Sequence, residues 1–112
     1  MSSSRSDRLY ITDILDSIEA IQSYTQFITL EQFTQDRKTY SAAIREFEII
    51  GEAISKLSKE TLNQISPELC RDIKAFRNKL IHEYFGVDLE IVWNIVKEDL
   101  PVLRQTIEQY LF

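Results

Sequence analysis

The sequence predicts an all-α protein: an up-and-down four-helix bundle with short extra helical turns and a kinked last helix. Three observations carry that expectation. Apolar residues recur at spacings of three and four almost throughout, the period of an amphipathic helix. There are only 2 Gly and 2 Pro, too few for the tight turns that a sandwich or barrel of this length requires. The 112 residues make one domain, able to bury roughly two-thirds of its unfolded surface around a modest core. That domain spans residues 1–112, with a Ser-rich, disordered start over 1–5.

The first helix is expected from about Ser6 to Tyr24. Ile11, Ile14, Leu15, Ile18 and Ile21 form its apolar stripe, and Asp13, Asp16 and Glu19 take the wet side. Thr29 with Gln32 has the spacing of a capping box for a short turn. A second long helix follows from about Asp36 to Leu57, with Tyr40, Ala43, Ile44, Phe47, Ile50, Gly51, Ile54 and Leu57 on one stripe. Gly51 on that stripe invites close approach of another backbone, at about 1 kcal/mol of helix propensity. Ser66-Pro67 reads as an N-cap and first helical position. The third helix then runs to about Tyr84, and Gly86 ends it. Asp88 caps a fourth helix carrying Leu89, Val92, Trp93, Val96, Leu100, Leu103, Ile107 and Leu111. Pro101 interrupts it, so a kink or restart is expected near Asp99.

Composition excludes several functions. Gly51 and Gly86 cannot build a Rossmann or P-loop phosphate loop. Cys70 is alone, which rules out an internal disulfide and a thiolate zinc site. No apolar run approaches a membrane span, and Met1-Ser-Ser-Ser is not followed by a signal-peptide core. A reduced, soluble, cytoplasmic protein with no membrane contact is the expectation. Formal net charge is −5, which argues against a general nucleic-acid coat. From Arg71 to His82, however, Arg71, Lys74, Arg77 and Lys79 outweigh Asp72 by a net +3, leaving −8 for the rest. Such a segment is either a solvated helix face or an anion site.

His82 is the one histidine. No serine sits on a strand-to-helix elbow, and no His-Glu-x-x-His spacing supports a metal, so neither a classical triad nor a metal site is expected. The densest polar constellation is Arg77-Asn78-Lys79-Leu80-Ile81-His82-Glu83-Tyr84. Asn78 and His82, four apart, share a helix face. Arg77 and Tyr84, seven apart, share another. Arg77 and His82 lie about 140° apart around an ideal helix and about 7.5 Å along it. Two readings follow. Arg77 is a surface cation, His82 a half-buried residue favoured by the helix dipole, and Tyr84 a packed aromatic. Alternatively, the long Arg77 side chain, or a helix loosened near Gly86, brings the polar groups to one pocket.

Arg77-x4-His82-x-Tyr84 resembles the signature of HEPN domains, in particular the HepT-like toxin family of small bacterial and archaeal proteins. The resemblance extends from about Arg8 to Tyr110. It includes Phe47-Glu-Ile-Ile-Gly-Glu-Ala53, the run from His82 through Tyr84-Phe-Gly-Val-Asp88 to Trp93, and Glu98-Asp-Leu-Pro101. One departure is Glu68-Leu-Cys-Arg71, where many relatives carry a Pro-Trp pair ahead of the signature helix.

That resemblance implies a HEPN-like bundle that dimerises and acts as a metal-independent endoribonuclease toxin without a cofactor. It implies an antitoxin partner, a minimal nucleotidyltransferase of the MntA kind (the type VII arrangement), which silences the toxin by AMPylation of the motif tyrosine. Carried onto this chain, Arg77 and His82 are catalytic, Asn78 is a supporting polar residue, and Tyr84 is the AMP acceptor. Lys74 and Lys79 are candidate contacts to RNA phosphate. The chemistry is coherent: RNA supplies its own 2′-hydroxyl nucleophile. Imidazole moves protons near neutral pH, and a guanidinium fork suits the charge building on phosphorus. Products are a 2′,3′-cyclic phosphate and a 5′-hydroxyl. A two-fold homodimer would supply a second His82 for separate acid and base roles. The alternative is a non-catalytic HEPN scaffold that binds the nucleotidyltransferase; a plain helical dimerisation module is the third reading.

Overall fold

The apolar stripes fold as the spacing requires. The computed structural model describes residues 3–82 and 88–111, and within them every long segment is helical and no strand forms. Helix α1 (Ser3–Thr25) buries Ile11, Ile14, Ile18 and Ile21. Helix α2 (Leu30–Gln35) opens on the expected capping box. The Thr29 hydroxyl accepts from the Gln32 amide at 3.1 Å, and the Gln32 side chain accepts from the Thr29 amide at 2.9 Å. Asp36 then caps α3 (Arg37–Ser55), accepting from the Thr39 amide at 3.3 Å and its hydroxyl at 2.7 Å. A short α4 (Lys59–Ile65), capped by Ser58, links α3 to α5. Helix α5 (Pro67–His82) starts where Ser66-Pro67 places it, with the Ser66 hydroxyl accepting from the Leu69 amide at 3.3 Å. The expected stop at Gly86 falls outside the described residues.

After the Asp88 cap come α6 (Leu89–Asn94), a π-helical turn (Ile95–Asp99) and α7 (Leu100–Leu111). The interruption expected near Asp99 is this π turn, in which the Leu100 amide donates to the Ile95 carbonyl five residues back. Pro101 accounts for it. In a regular helix its ring would press on the carbonyl four residues earlier and leave that group unpaired. The wider turn relieves both problems.

Helix α1 packs along α3, α3 against α5, and α7 against α1. The two short helices close the bundle: α2 lies on α6, while α4 bridges α5 and α7. Phe33, Phe47, Ile50, Ile73, Val92, Leu100, Leu103 and Ile107 meet in the core. Phe47 is set edge-on to Phe76 at 5.2 Å between ring centroids, which fixes α3 against α5.

Polar ties set the register of the outer helices. Arg104 of α7 donates to Gln22 at 2.5 Å and to Glu19 at 2.9 Å, both on α1. From the π turn, Lys97 donates to the Thr25 carbonyl at 3.1 Å and lies over Trp93, so a cation meets the carbonyl end of α1. Asp7 is buried at the N-terminus of α4. Its carboxylate accepts from the Ser58 amide at 3.1 Å and from the Ser58 and Thr61 hydroxyls, each at 2.6 Å. Burial pushes its pKa up, but the hydrogen bonds outweigh that and hold it below the usual carboxylate value. No described helix is long and apolar enough to cross a membrane.

Candidate active site

Arg77 lies on the inward stripe of α5, in register with buried Cys70, Ile73 and Leu80. A cation at such a position must be accommodated by whatever faces it, and what faces it is Gly51 on α3. A Cβ built at Gly51 would lie 2.5 Å from Nε of Arg77, 2.7 Å from its Cγ and 2.9 Å from its Cβ. The close approach expected at Gly51 therefore occurs, but the group that makes it is a side chain of the same protein rather than another backbone. Only 12% of the Arg77 side chain remains exposed, so the reading of Arg77 as a surface cation is set aside.

The guanidinium reaches along α3. Its Nη2 donates to the Ser55 hydroxyl at 3.4 Å, and that hydroxyl donates to the Gly51 carbonyl at 2.9 Å. Its Nη1 stands 3.8 Å from the Glu52 carboxylate, which also lies 3.6 Å from Nζ of Lys56. Nε is buried without a hydrogen-bond partner among the described residues, a cost tolerated where a site holds its geometry. One turn of α3, Gly51 to Ser55, thus seats the arginine with little freedom. Held this way, the guanidinium directs Nη2 at Ser55 and Nη1 at Glu52 while Nε is shut off from solvent.

Beside it opens a cavity of about 360 Å³ between α1 and α3, lined by Tyr10 and Asp13 of α1, by Arg45, Glu48, Ile49, Glu52 and Ala53 of α3 with Lys56 just after it, and by Arg77. A smaller one, about 220 Å³, lies beyond Ser55, where Lys74 and Arg71 reach its rim.

The other residues singled out in the sequence are distributed as follows. Asn78 and Lys79 are exposed on the outer face of α5, and Lys74 is half-buried. Helix α5 runs unbroken through His82. Its backbone therefore keeps the separation from Arg77 expected of a regular helix, with no loosening up to that point. The side chain of His82, and all of Tyr84, lie outside the described residues. Ser55 and Glu52 were not among the expected site residues. The signal that could have found them was a cation on one apolar stripe and a glycine on the stripe it must face.

The chain is 44% identical over 106 residues to a protein of Thermococcus cleftensis named "Probable ribonuclease HepT", covering 94% of this chain and 96% of the relative. It is 36% identical over 104 residues to a protein of Methanocaldococcus jannaschii named provisionally as an RNase, covering 93% and 86%. A third relative, from Caldanaerobacter subterraneus subsp. tengcongensis and also named provisionally as an RNase, is 35% identical over 107 residues, with 96% of each chain covered. No solved structure matches the chain. The family described as ribonuclease HepT-like matches residues 14–110. With the seat of Arg77 and all the bundle helices except the start of α1 and the last residue of α7 inside that match, the chain belongs to the ribonuclease HepT-like family.

Proposed function

We propose that this protein is a metal-independent endoribonuclease, the toxin of a HepT/MntA-like toxin–antitoxin pair. The observation that carries the reading is the seated arginine. An arginine side chain only 12% exposed, held by Gly51, Ser55 and Glu52, lies five residues before the lone histidine in a chain of the ribonuclease HepT-like family. Arg77 stabilises the negative charge on the pentavalent phosphorus. His82 takes the proton from the 2′-hydroxyl or delivers one to the departing 5′-oxygen, leaving a 2′,3′-cyclic phosphate and a 5′-hydroxyl.

A regular helix separates Arg77 and His82 by about 140°, and one chain offers one imidazole. A two-fold homodimer that sets both copies of α5 across its axis supplies the second proton carrier and doubles the local positive charge. Asn78 lends a polar contact, and Lys74 and Lys79 meet phosphates along the strand. The cognate minimal nucleotidyltransferase silences the enzyme by transferring AMP from ATP to the Tyr84 hydroxyl, with pyrophosphate leaving, and the added phosphodiester charge competes with RNA for Arg77.

The test is cleavage of a labelled RNA by the unmodified protein in EDTA. Activity is expected to persist in the chelator, to vanish in Arg77→Ala and His82→Ala, and to be little restored by lysine at 77, which lacks the fork. Loss of cutting in EDTA, or wild-type cutting by His82→Ala, would overturn the mechanism. No cutting by any form, with the partner still bound, would favour the scaffold.

A further inference from the structure

We propose that Glu52 is a gate on Arg77: in the free protein its carboxylate occupies the guanidinium, and a substrate phosphate opens the site by displacing it onto Lys56. The inference rests on the reading of Arg77 as a phosphate-binding residue and adds a control on when that arginine is available.

Each nitrogen of Arg77 is turned on its own chain. Nε is buried beside Gly51 without a hydrogen-bond partner among the described residues, and Nη2 donates to the Ser55 hydroxyl. Nη1 faces the Glu52 carboxylate. These contacts are unequal. The stem against Gly51 and Nη2 on Ser55 anchor the side chain to α3 whether or not Glu52 stays. The Glu52 contact, at 3.8 Å, is an ion pair beyond hydrogen-bond length. Its carboxylate side chain is 60% exposed, against 12% for Arg77. An anion arriving from solvent therefore comes up against Glu52 on its way to Nη1.

Glu52 has a second seat. Its two oxygens face different cations: Oε2 lies 3.8 Å from Nη1 of Arg77, and Oε1 lies 3.6 Å from Nζ of Lys56. Lys56 stands over the Tyr10 ring, 5.7 Å from its centroid, which favours keeping the ammonium there. Letting go of Arg77 thus leaves Glu52 paired, and no charge is stranded. The balance of the cavity makes the exchange necessary. Arg45, Lys56 and Arg77 on its walls are matched by Asp13, Glu48 and Glu52, so the lining as a whole does not draw anions. A phosphodiester carries the same unit charge as the carboxylate and accepts charge-assisted hydrogen bonds from a guanidinium as well as a carboxylate does. It replaces Glu52 on Arg77 charge for charge.

A fluorescent oligodeoxynucleotide tests the gate without catalysis, because it has the phosphates and lacks the 2′-hydroxyl nucleophile; anisotropy reads its binding. Glu52→Gln, a change at an exposed side chain that leaves the core untouched, should bind it about three- to fivefold tighter than wild type, the scale of one half-exposed ion pair. The kcat/KM for RNA should rise with it. In an Arg77→Ala background the same substitution should lose most of that gain, because no guanidinium is left to unmask. Lys56→Met keeps the stem and removes the second seat. It should weaken binding about threefold in the wild-type background and leave Glu52→Gln unchanged. Three results, each with RNA still cut, overturn the gate and leave the nuclease standing: no tightening in Glu52→Gln, tightening that persists in full without Arg77, or an equal cost of Lys56→Met in both backgrounds. A fall in kcat/KM in Glu52→Gln also overturns it, making Glu52 a positioning residue instead. Tightening that depends on Arg77, in a protein that cuts no RNA, overturns the nuclease and leaves the gate.

Discussion

Replacing Gly51 with alanine puts one methyl group where the stem of Arg77 now lies. The new Cβ would stand 2.5 Å from Nε and 2.7 Å from Cγ, while comfortable contacts begin at about 3.5 Å. Arg77 must therefore withdraw by about 1 Å or abandon its rotamer, and in doing so it leaves Ser55 and Glu52. A displacement of about 1 Å at a reacting centre costs on the order of 10²-fold in rate. Stability responds differently. Alanine improves the helix by about 1 kcal/mol, against about 1–3 kcal/mol for overpacking, so the protein loses at most about 2 kcal/mol and stays folded. Single-turnover cleavage of a fluorescent RNA, beside thermal unfolding, separates the two effects. Gly51→Ala is expected to be folded and slower by about two orders of magnitude. In an Arg77→Ala background the Nε and Cγ clashes are gone, so the same alanine should cost less stability and no further activity. A folded Gly51→Ala protein that cuts at the wild-type rate would refute the claim that this seat positions the catalytic guanidinium.

Four further outcomes are expected. Asp7→Ala should lower stability by about 2 kcal/mol, the scale of hydrogen bonds to a charged group. Because the folded pKa of Asp7 is depressed, its contribution is whole above about pH 4 and fades as the pH falls through that lower value; urea midpoints across pH read it directly. Asp99→Asn should raise the thermal midpoint at pH 7 and not at pH 3. Burial first, then Glu98 and Asp72, raise the Asp99 pKa, so ionising it in the fold removes stability as pH climbs through the raised value. Tyr84→Phe should resist silencing by the nucleotidyltransferase and ATP, with mass spectrometry locating AMP on Tyr84 in the unsubstituted protein. Light scattering at micromolar concentration should give about twice the chain mass; an active monomer would remove the shared-site argument.

What was legible in the sequence was mostly local. The capping box at Thr29 and Gln32, the Ser66-Pro67 start of α5 and the Asp88 cap each depend on neighbours within four residues, and each forms as the spacing indicates. Asp7 was not legible: an acid near the start of an amphipathic helix looks solvated, and only the arrival of α4 buries it. The site was half legible. The motif identified Arg77 as the residue to watch, but its burial depends on the register of α5 against α3, which no local rule supplies. Gly51 was expected to admit a backbone. The bulk it admits belongs instead to Arg77.

The π turn also has a consequence for chain length. Val92, Val96 and Leu100 are all buried, yet positions eight apart drift about 80° around an α-helix. The slower winding over Ile95–Asp99 absorbs that drift and keeps Leu103 and Ile107 facing the core. A π turn is one residue more than the helix needs, so this is where the last helix can shed a residue without turning its inner face to water. A deletion within α7 would rotate everything beyond it by about 100°. Losing the extra residue, however, restores the regular turn in which a proline at 101 costs about 3 kcal/mol. The insertion and the proline are therefore coupled, and relatives that lack one should lack the other.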